Sequence, residues 1–200
     1  MKLDNQSFTE NSLRYVNELH SLFNKEIFNQ IEKLAKDLLS IWEVGKNVFI
    51  CGNGGSAANA IHLANDFHYG IGACGDGPSI KGLKVEALSS NPGVLTCLAN
   101  DTGYENIYSH QIITKSCDGD ILIALSGSGN SENIIKAIET ANKLSVKTYA
   151  ILGFKGGKSL EIADQAIHFP INDMQIAEDT QLIVGHLCMQ WLSLNKPKTF

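Results

Sequence analysis

Apolar positions between residues 8 and 44 recur every three or four residues. Leu13, Val16, Leu19, Leu22 and Phe23 form one stripe, and Ile27, Ile31, Leu34, Leu38 and Leu39 form a second. This spacing predicts two amphipathic helices, each with one face to bury against the chain's own body or a partner subunit. From residue 47 the pattern changes to short apolar runs separated by helical stretches. NVFICG (47–52), VEAL (85–88), DILIALS (120–126), KTYAIL (147–152) and AIHF (166–169) read as strands. Helices are expected over 56–67, 93–99, 107–113, 131–144 and 174–194, with a helical turn after Gly156 and Gly157. The stretch 69–84 has five glycines, one proline and little periodicity, so it reads as a long loop.

Strands alternating with helices build βαβ units around a parallel sheet with right-handed crossovers. The expectation is an α/β fold in one structural domain, with residues 1–44 as an N-terminal helical segment and 45–200 as the body. In such sheets ligands bind beyond the carboxyl ends of the strands. The loops CGNGGS (51–56) and SGSGNS (126–131) then lie on the same rim.

Both loops have the chemistry of a phosphate cradle. Each joins a strand to a helix whose first amides lack intrahelical partners, and the helix dipole favours an anion there. Asn53, Gly54 and Ser56 in the first loop, and Ser126, Ser128 and Ser131 in the second, add hydroxyls, an amide and close backbone approach. The plainer alternative for the second loop is a turn capped by Ser131. Neither loop matches a Walker A or GxGxxG pattern.

Composition sharpens this. Arg14 is the only arginine, so a bound anion must rely on amides, hydroxyls or lysines. A net charge of -5 argues against a nucleic-acid partner. No run approaches the roughly 18 apolar residues of a membrane span. Five cysteines, at 51, 74, 97, 117 and 188 with no CxxC spacing, fit a reducing compartment. The opening MKLDNQSFTEN lacks the apolar core of a secretory leader, so a cytoplasmic protein is expected.

Two pairs could carry proton transfer or metal binding. His62 and Asp66 lie four apart, on one face of the helix after CGNGGS. Glu178 and His186 lie eight apart in the last helix. There His186 interrupts the apolar segment LIVGHLCMQWL, where a histidine needs a hydrogen bond or a ligand. A surface hydrogen bond for the first pair and a core or subunit-contact role for His186 are the plainer alternatives.

The segments CGNGGSAANAIHLANDF (51–67), LSGSGNSENIIKAI (125–138), ILGFKGGK (151–158) and AEDTQLIVGH (177–186) resemble the sugar isomerase (SIS) domain family, in its phosphoheptose isomerase branch. The resemblance spans nearly the whole chain. It implies a three-layer α/β/α sandwich with a five-stranded parallel sheet, flavodoxin-like, assembled as a homotetramer with sites between subunits. It implies isomerisation of sedoheptulose 7-phosphate to D-glycero-D-manno-heptose 7-phosphate through an enediolate. It puts Asp66 and His186 in the catalytic roles and the phosphate on Ser126, Ser128, Ser131, Asn53, Gly54 and Ser56. Asp101, in ANDTGYENIYS, and Glu178 would join the substrate pocket. It also implies a zinc ion, one per subunit, on His62, Asp66, Glu178 and His186.

Three features depart from the family pattern. Asp66 stands where the family has glutamate, Glu178 where it has glutamine, and HYGIGACGDGPSIKG lacks the arginine usual there. A regulatory branch has lost both catalytic residues; this chain keeps an acid and a histidine at those places. Two further readings stay open: a non-catalytic adapter tetramer, and an isomerase of another ketose phosphate.

Overall fold

The computed structural model describes residues 7–198. Helix α1 (Phe8–Ser21) starts on a capping box, in which the Glu10 amide donates to Ser7 Oγ and the Ser7 amide to Glu10 Oε2. It buries none of its side chains, and Leu13 and Val16 remain exposed. Helix α2 (Lys25–Val44) starts at Asn24, whose Oδ1 accepts from the Glu26 and Ile27 amides, and stops at Gly45 in the left-handed region, φ 69°. Its stripe of Ile27, Ile31, Leu34 and Leu38 is buried in the same core as the sheet, so α2 belongs to the body.

The body runs β1 (Asn47–Gly52), α3 (Gly55–Asn65), a π-helical turn (Asp66–Gly70), α4 (Ile71–Ala73), β2 (Lys84–Ala87), α5 (Pro92–Thr102) and a 3-10 turn (Tyr104–Asn106). It continues through α6 (Ser109–Lys115), β3 (Ile121–Ser126), α7 (Glu132–Lys143), β4 (Lys147–Leu152), α8 (Gly157–Ile162), β5 (Gln165–His168) and α9 (Met174–Leu194). The five strands are parallel, in the order β2-β1-β3-β4-β5.

Alternation along the strands divides the core in two. Val48, Ile50, Ile121, Ile123 and Tyr149 cluster with residues of α2, α3 and α9; Phe49, Cys51, Leu122, Ala124 and Ala150 cluster with α6 and α7. Both faces are covered, which is why the central strands β1, β3 and β4 read as apolar runs, while the edge strands β2 and β5 carry Lys84, Glu86, Gln165 and His168. The order reverses at β1. The chain leaves β1 for β2 on one side and later places β3 on the other. A crevice is left beyond the carboxyl ends of β1 and β3.

The loop expected over 69–84 is present over 74–83, but its first residues are helical. The helix widens after α3 into the π turn and continues through α4 before the chain doubles back. The Leu83 amide donates to the Phe67 carbonyl at 2.9 Å, and the Ile80 amide to the Gly72 carbonyl at 3.2 Å. A Cβ on Gly82 would lie 2.0 Å from the His68 carbonyl oxygen. Glycines that look like loop punctuation are contact points between a helix and the returning chain. Other boundaries shift modestly. The helix expected at 107–113 is α6, preceded by the 3-10 turn, and the one expected at 93–99 extends over all of α5.

Candidate active site

Two loops leave the sheet at the crevice, one joining β1 to α3 and the other β3 to α7. They wall a cleft of ≈ 260 Å³ lined by Asn53, Gly54, Ser56, Ser126, Ser128 and Ser131, with Met174 and Glu178 of α9 opposite. Ser126 Oγ accepts the Gly129 amide at 3.0 Å, and Ser128 Oγ accepts the Asn130 amide at 3.2 Å. A hydroxyl that accepts from an amide keeps its own proton to donate, and is polarised to do so. Ser131 begins α7, yet its side chain makes no capping bond, and α3 starts on Gly54 with no side-chain cap either. The first amides of both helices are left for a ligand. A turn merely capped by Ser131 does not describe this loop.

The walls are held from behind. Asn53 and Asn133 form a reciprocal amide pair, each Nδ2 donating to the other's Oδ1 at 2.8 Å, and the Tyr104 hydroxyl donates to Asn53 Oδ1 at 3.1 Å. The Tyr108 hydroxyl donates to the Gly52 carbonyl at 2.5 Å; burial pushes this phenol's pKa up, so it remains a donor. Ser56 Oγ accepts Gln181 Nε2 at 3.0 Å, and Gln181 Oε1 accepts Asn59 Nδ2 at 3.0 Å, which joins α3 to α9. Cys51, beneath the cleft, has its thiol pushed up to about 12 by burial and stays a neutral packing group. A second groove of ≈ 580 Å³ shares Asn53 and Ser131 with the cleft and runs past Tyr104 to Lys136.

His62 lies six residues beyond Ser56 on α3, about 9 Å along the helix axis. It meets His186 of α9 Nε2 to Nε2 at 3.0 Å, with the rings edge-on at 68°. Asp66 Oδ2 stands 3.5 Å from both Nε2 atoms. Two imidazole nitrogens this close must share a proton or a cation. The cluster fits a metal. Ligand atoms at the corners of a tetrahedral zinc site, about 2.0–2.1 Å from the ion, lie about 3.3–3.4 Å apart. Here the separations are 3.0, 3.5 and 3.5 Å. Both imidazoles are half-exposed, which suits a three-ligand site with an open position.

The sequence profile of the family described as "SIS domain" matches residues 13–153. The phosphoheptose isomerase of Sulfurimonas denitrificans is 36% identical over 166 residues, 82% of each chain. That of Aneurinibacillus thermoaerophilus is 32% identical over 166 residues, 83% of this chain and 81% of the relative. The chain belongs to the SIS-domain family. The solved structure of a phosphoheptose isomerase from Neisseria gonorrhoeae superposes with a TM-score of 0.79 at 26% identity, covering 92% of this chain and 94% of that one.

Within this SIS fold the expected residues fall into two groups. Asn53, Gly54, Ser56, Ser126, Ser128 and Ser131 line one cleft, and His62, Asp66 and His186 meet in one cluster. Two placements differ from expectation. Glu178 stands apart from the three clustered groups, because its carboxylate lies on Gly55: a Cβ there would be 2.4 Å from Oε1. It therefore faces the serine cleft. Asp101 closes α5 with its carboxylate turned to Asn100 Nδ2 at 2.7 Å and Cys97 Sγ at 3.5 Å, and it lines neither the cleft nor the groove. Asn133, Tyr104 and Gln181 were not among the residues expected to bind substrate. Asn133 had a signal in the sequence. It is a polar residue in phase with the inward stripe Ile134, Ala137, Ile138 and Ala141 of α7, and it is 2% exposed.

Proposed function

We propose that this SIS-domain chain interconverts sedoheptulose 7-phosphate and D-glycero-D-manno-heptose 7-phosphate. Asp66 and His186 form the proton-transfer pair, and the serine loops anchor the phosphate. The observation that carries the reading is the meeting of His62, Asp66 and His186 on α3, the π turn after it and α9, helices whose first turns line the serine cleft.

An aldose–ketose isomerase shifts a proton between C1 and C2 and relocates another between the two oxygens, through an enediolate. Asp66 and His186 share these duties, one at carbon and the other at oxygen, and zinc occupancy decides which of them is the base, because a ligated imidazole is a poor one. Ser126, Ser128, Ser131 and Ser56, with the amides of Gly54 and its neighbours, fix the phosphate. Asn53 is oriented by Asn133 and Tyr104 to contact the substrate between the two ends, and Glu178 accepts from substrate hydroxyls. His62, Asp66 and His186 would hold one zinc ion per subunit. When bound it would supply Lewis-acid stabilisation of charge developing on the substrate oxygen.

The exposed stripe on α1 and the half-exposed imidazoles support a homotetramer whose sites are completed between subunits. Free cysteines at 51, 74, 97, 117 and 188 fit a reducing cytoplasm. Among the described residues no helix is long and apolar enough to cross a membrane. The test is a panel of five-, six- and seven-carbon sugar phosphates offered to the purified chain with and without chelator. Turnover of the heptose ester is expected; turnover of none would leave an adapter, and preference for a shorter ester would reassign the substrate.

A further inference from the structure

The motif ILGFKGGK (151–158) takes no part in the chemistry above, yet it packs directly behind the serine loop. The Gly153 amide donates to the Gly127 carbonyl at 3.0 Å, and the Ser159 amide donates to the Gly129 carbonyl at 2.9 Å. Between these two bonds stands Asn130. Its Oδ1 accepts the Lys158 amide at 3.0 Å and its Nδ2 donates to the Ser128 carbonyl at 3.3 Å. The fit is close: a Cβ on Gly129 (φ 66°) would lie 1.9 Å from the Gly156 carbonyl oxygen. The carbonyls of Gly127, Ser128 and Gly129 are thus all taken up within or behind the loop. This matters because a carbonyl turned into an anion cleft repels the ligand that an amide or hydroxyl attracts. The loop's amides at 129 and 130 serve Ser126 Oγ and Ser128 Oγ, which are left to donate forward.

We propose that Asn130 is a positioning residue for phosphate binding. It clips the serine loop to the 153–159 segment, holding the loop's carbonyls back and its hydroxyls forward, and does not itself touch the substrate. The inference rests on the phosphate reading of the cleft. It predicts that Asn130→Ala raises both the Kd for inorganic phosphate and the KM for sedoheptulose 7-phosphate by about tenfold, while kcat changes less than threefold. Lys158→Ala should leave both constants unchanged, because the clip uses only the backbone amide of Lys158. Asn130→Asp keeps the acceptor for Lys158 but sets a carboxylate oxygen against the Ser128 carbonyl. It should match or exceed the alanine defect, and it carries the test if the alanine variant fails to fold by circular dichroism.

Phosphate binding is measured by calorimetry, independently of turnover. If the unaltered chain neither binds phosphate nor converts the heptose ester, the functional reading fails. If it does both while Asn130→Ala and Asn130→Asp leave Kd and KM within twofold, the positioning role alone is overturned. A loss confined to kcat, or an equal defect in Lys158→Ala, also overturns it.

Discussion

Gly185 and Leu63 set the distance between the two helices that carry the imidazoles. A Cβ on Gly185 would lie 2.0 Å from Leu63 Cδ2, so α9 rests on α3 with no room for a methyl group. The next residue on α9 is His186, and the residue before Leu63 is His62. This contact, with the Gln181 bonds to Ser56 and Asn59, holds the helices close enough for their Nε2 atoms to meet at 3.0 Å.

Gly185→Ala should therefore act on stability and on the site together. Overpacking of this kind costs about 1–3 kcal/mol. Thermal unfolding should report that loss, and zinc titration by calorimetry should show weaker binding, because the two imidazoles separate. A variant as stable and as zinc-avid as the parent would show that the helices can slide without cost.

His186→Ala should lower kcat by a factor of 100 or more and leave the Kd for inorganic phosphate within about twofold. Prolonged chelation should reduce turnover, and added zinc should restore it. Full activity after chelation, with metal absent by atomic emission, would remove zinc from the mechanism and leave the proton transfers to Asp66 and His186 alone.

Ser128→Ala removes a forward-facing hydroxyl. The expected result is a KM raised about tenfold with kcat nearly unchanged. Steady-state kinetics decides it: an unaltered KM means the phosphate is held elsewhere.

Glu178 puts a carboxylate in the same cleft as the serine hydroxyls. Glu178→Gln removes charge that opposes a phosphate dianion. Phosphate should bind several-fold more tightly to the variant by calorimetry. Weaker binding would mean that Glu178 contributes a needed acceptor instead.

Two buried thiols make stability sensitive to alkali. Burial holds Cys51 and Cys188 near 12, against 9.0 for an exposed thiol. The unfolded chain then loses these protons first as pH rises, so the unfolding free energy falls between about pH 9 and 12. The slope reaches about 1.4 kcal/mol per pH unit for each thiol. Urea melts at pH 8 and pH 10.5 test this, and equal stabilities would contradict it.

Much of this architecture is legible in the chain, because both faces of the sheet are covered and the central strands β1, β3 and β4 carry continuous apolar runs. The serine loops are legible because two Gly/Ser/Asn-rich strand-to-helix junctions fall on the same rim of a parallel sheet, where ligands bind. The resemblance extends this to His186, whose place in an apolar segment shows a need for a partner without naming His62. Three things were hidden. Glu178 and His186 share a helix, and spacing alone does not say that the carboxylate meets the start of α3 at Gly55 while the imidazole meets His62 two turns further along it. Asp101 faces its own helix because Asn100 and Cys97 are nearer partners than the cleft. The start of the 69–84 segment hides its helix because Gly72 and Gly82 are set by contact with neighbouring backbone, which local composition does not reveal.

The serine cleft has no arginine, and its polar side chains are hydroxyls, an amide and a single acid. Phosphate sites clamped by cations loosen as ionic strength rises, because the counterion cloud screens their attraction. Here the one charged side chain lining the cleft is Glu178, whose repulsion salt would mute together with the attraction of Lys136 in the adjoining groove. Uptake of the dianion would therefore depend less on ionic strength than at a site clamped by cations.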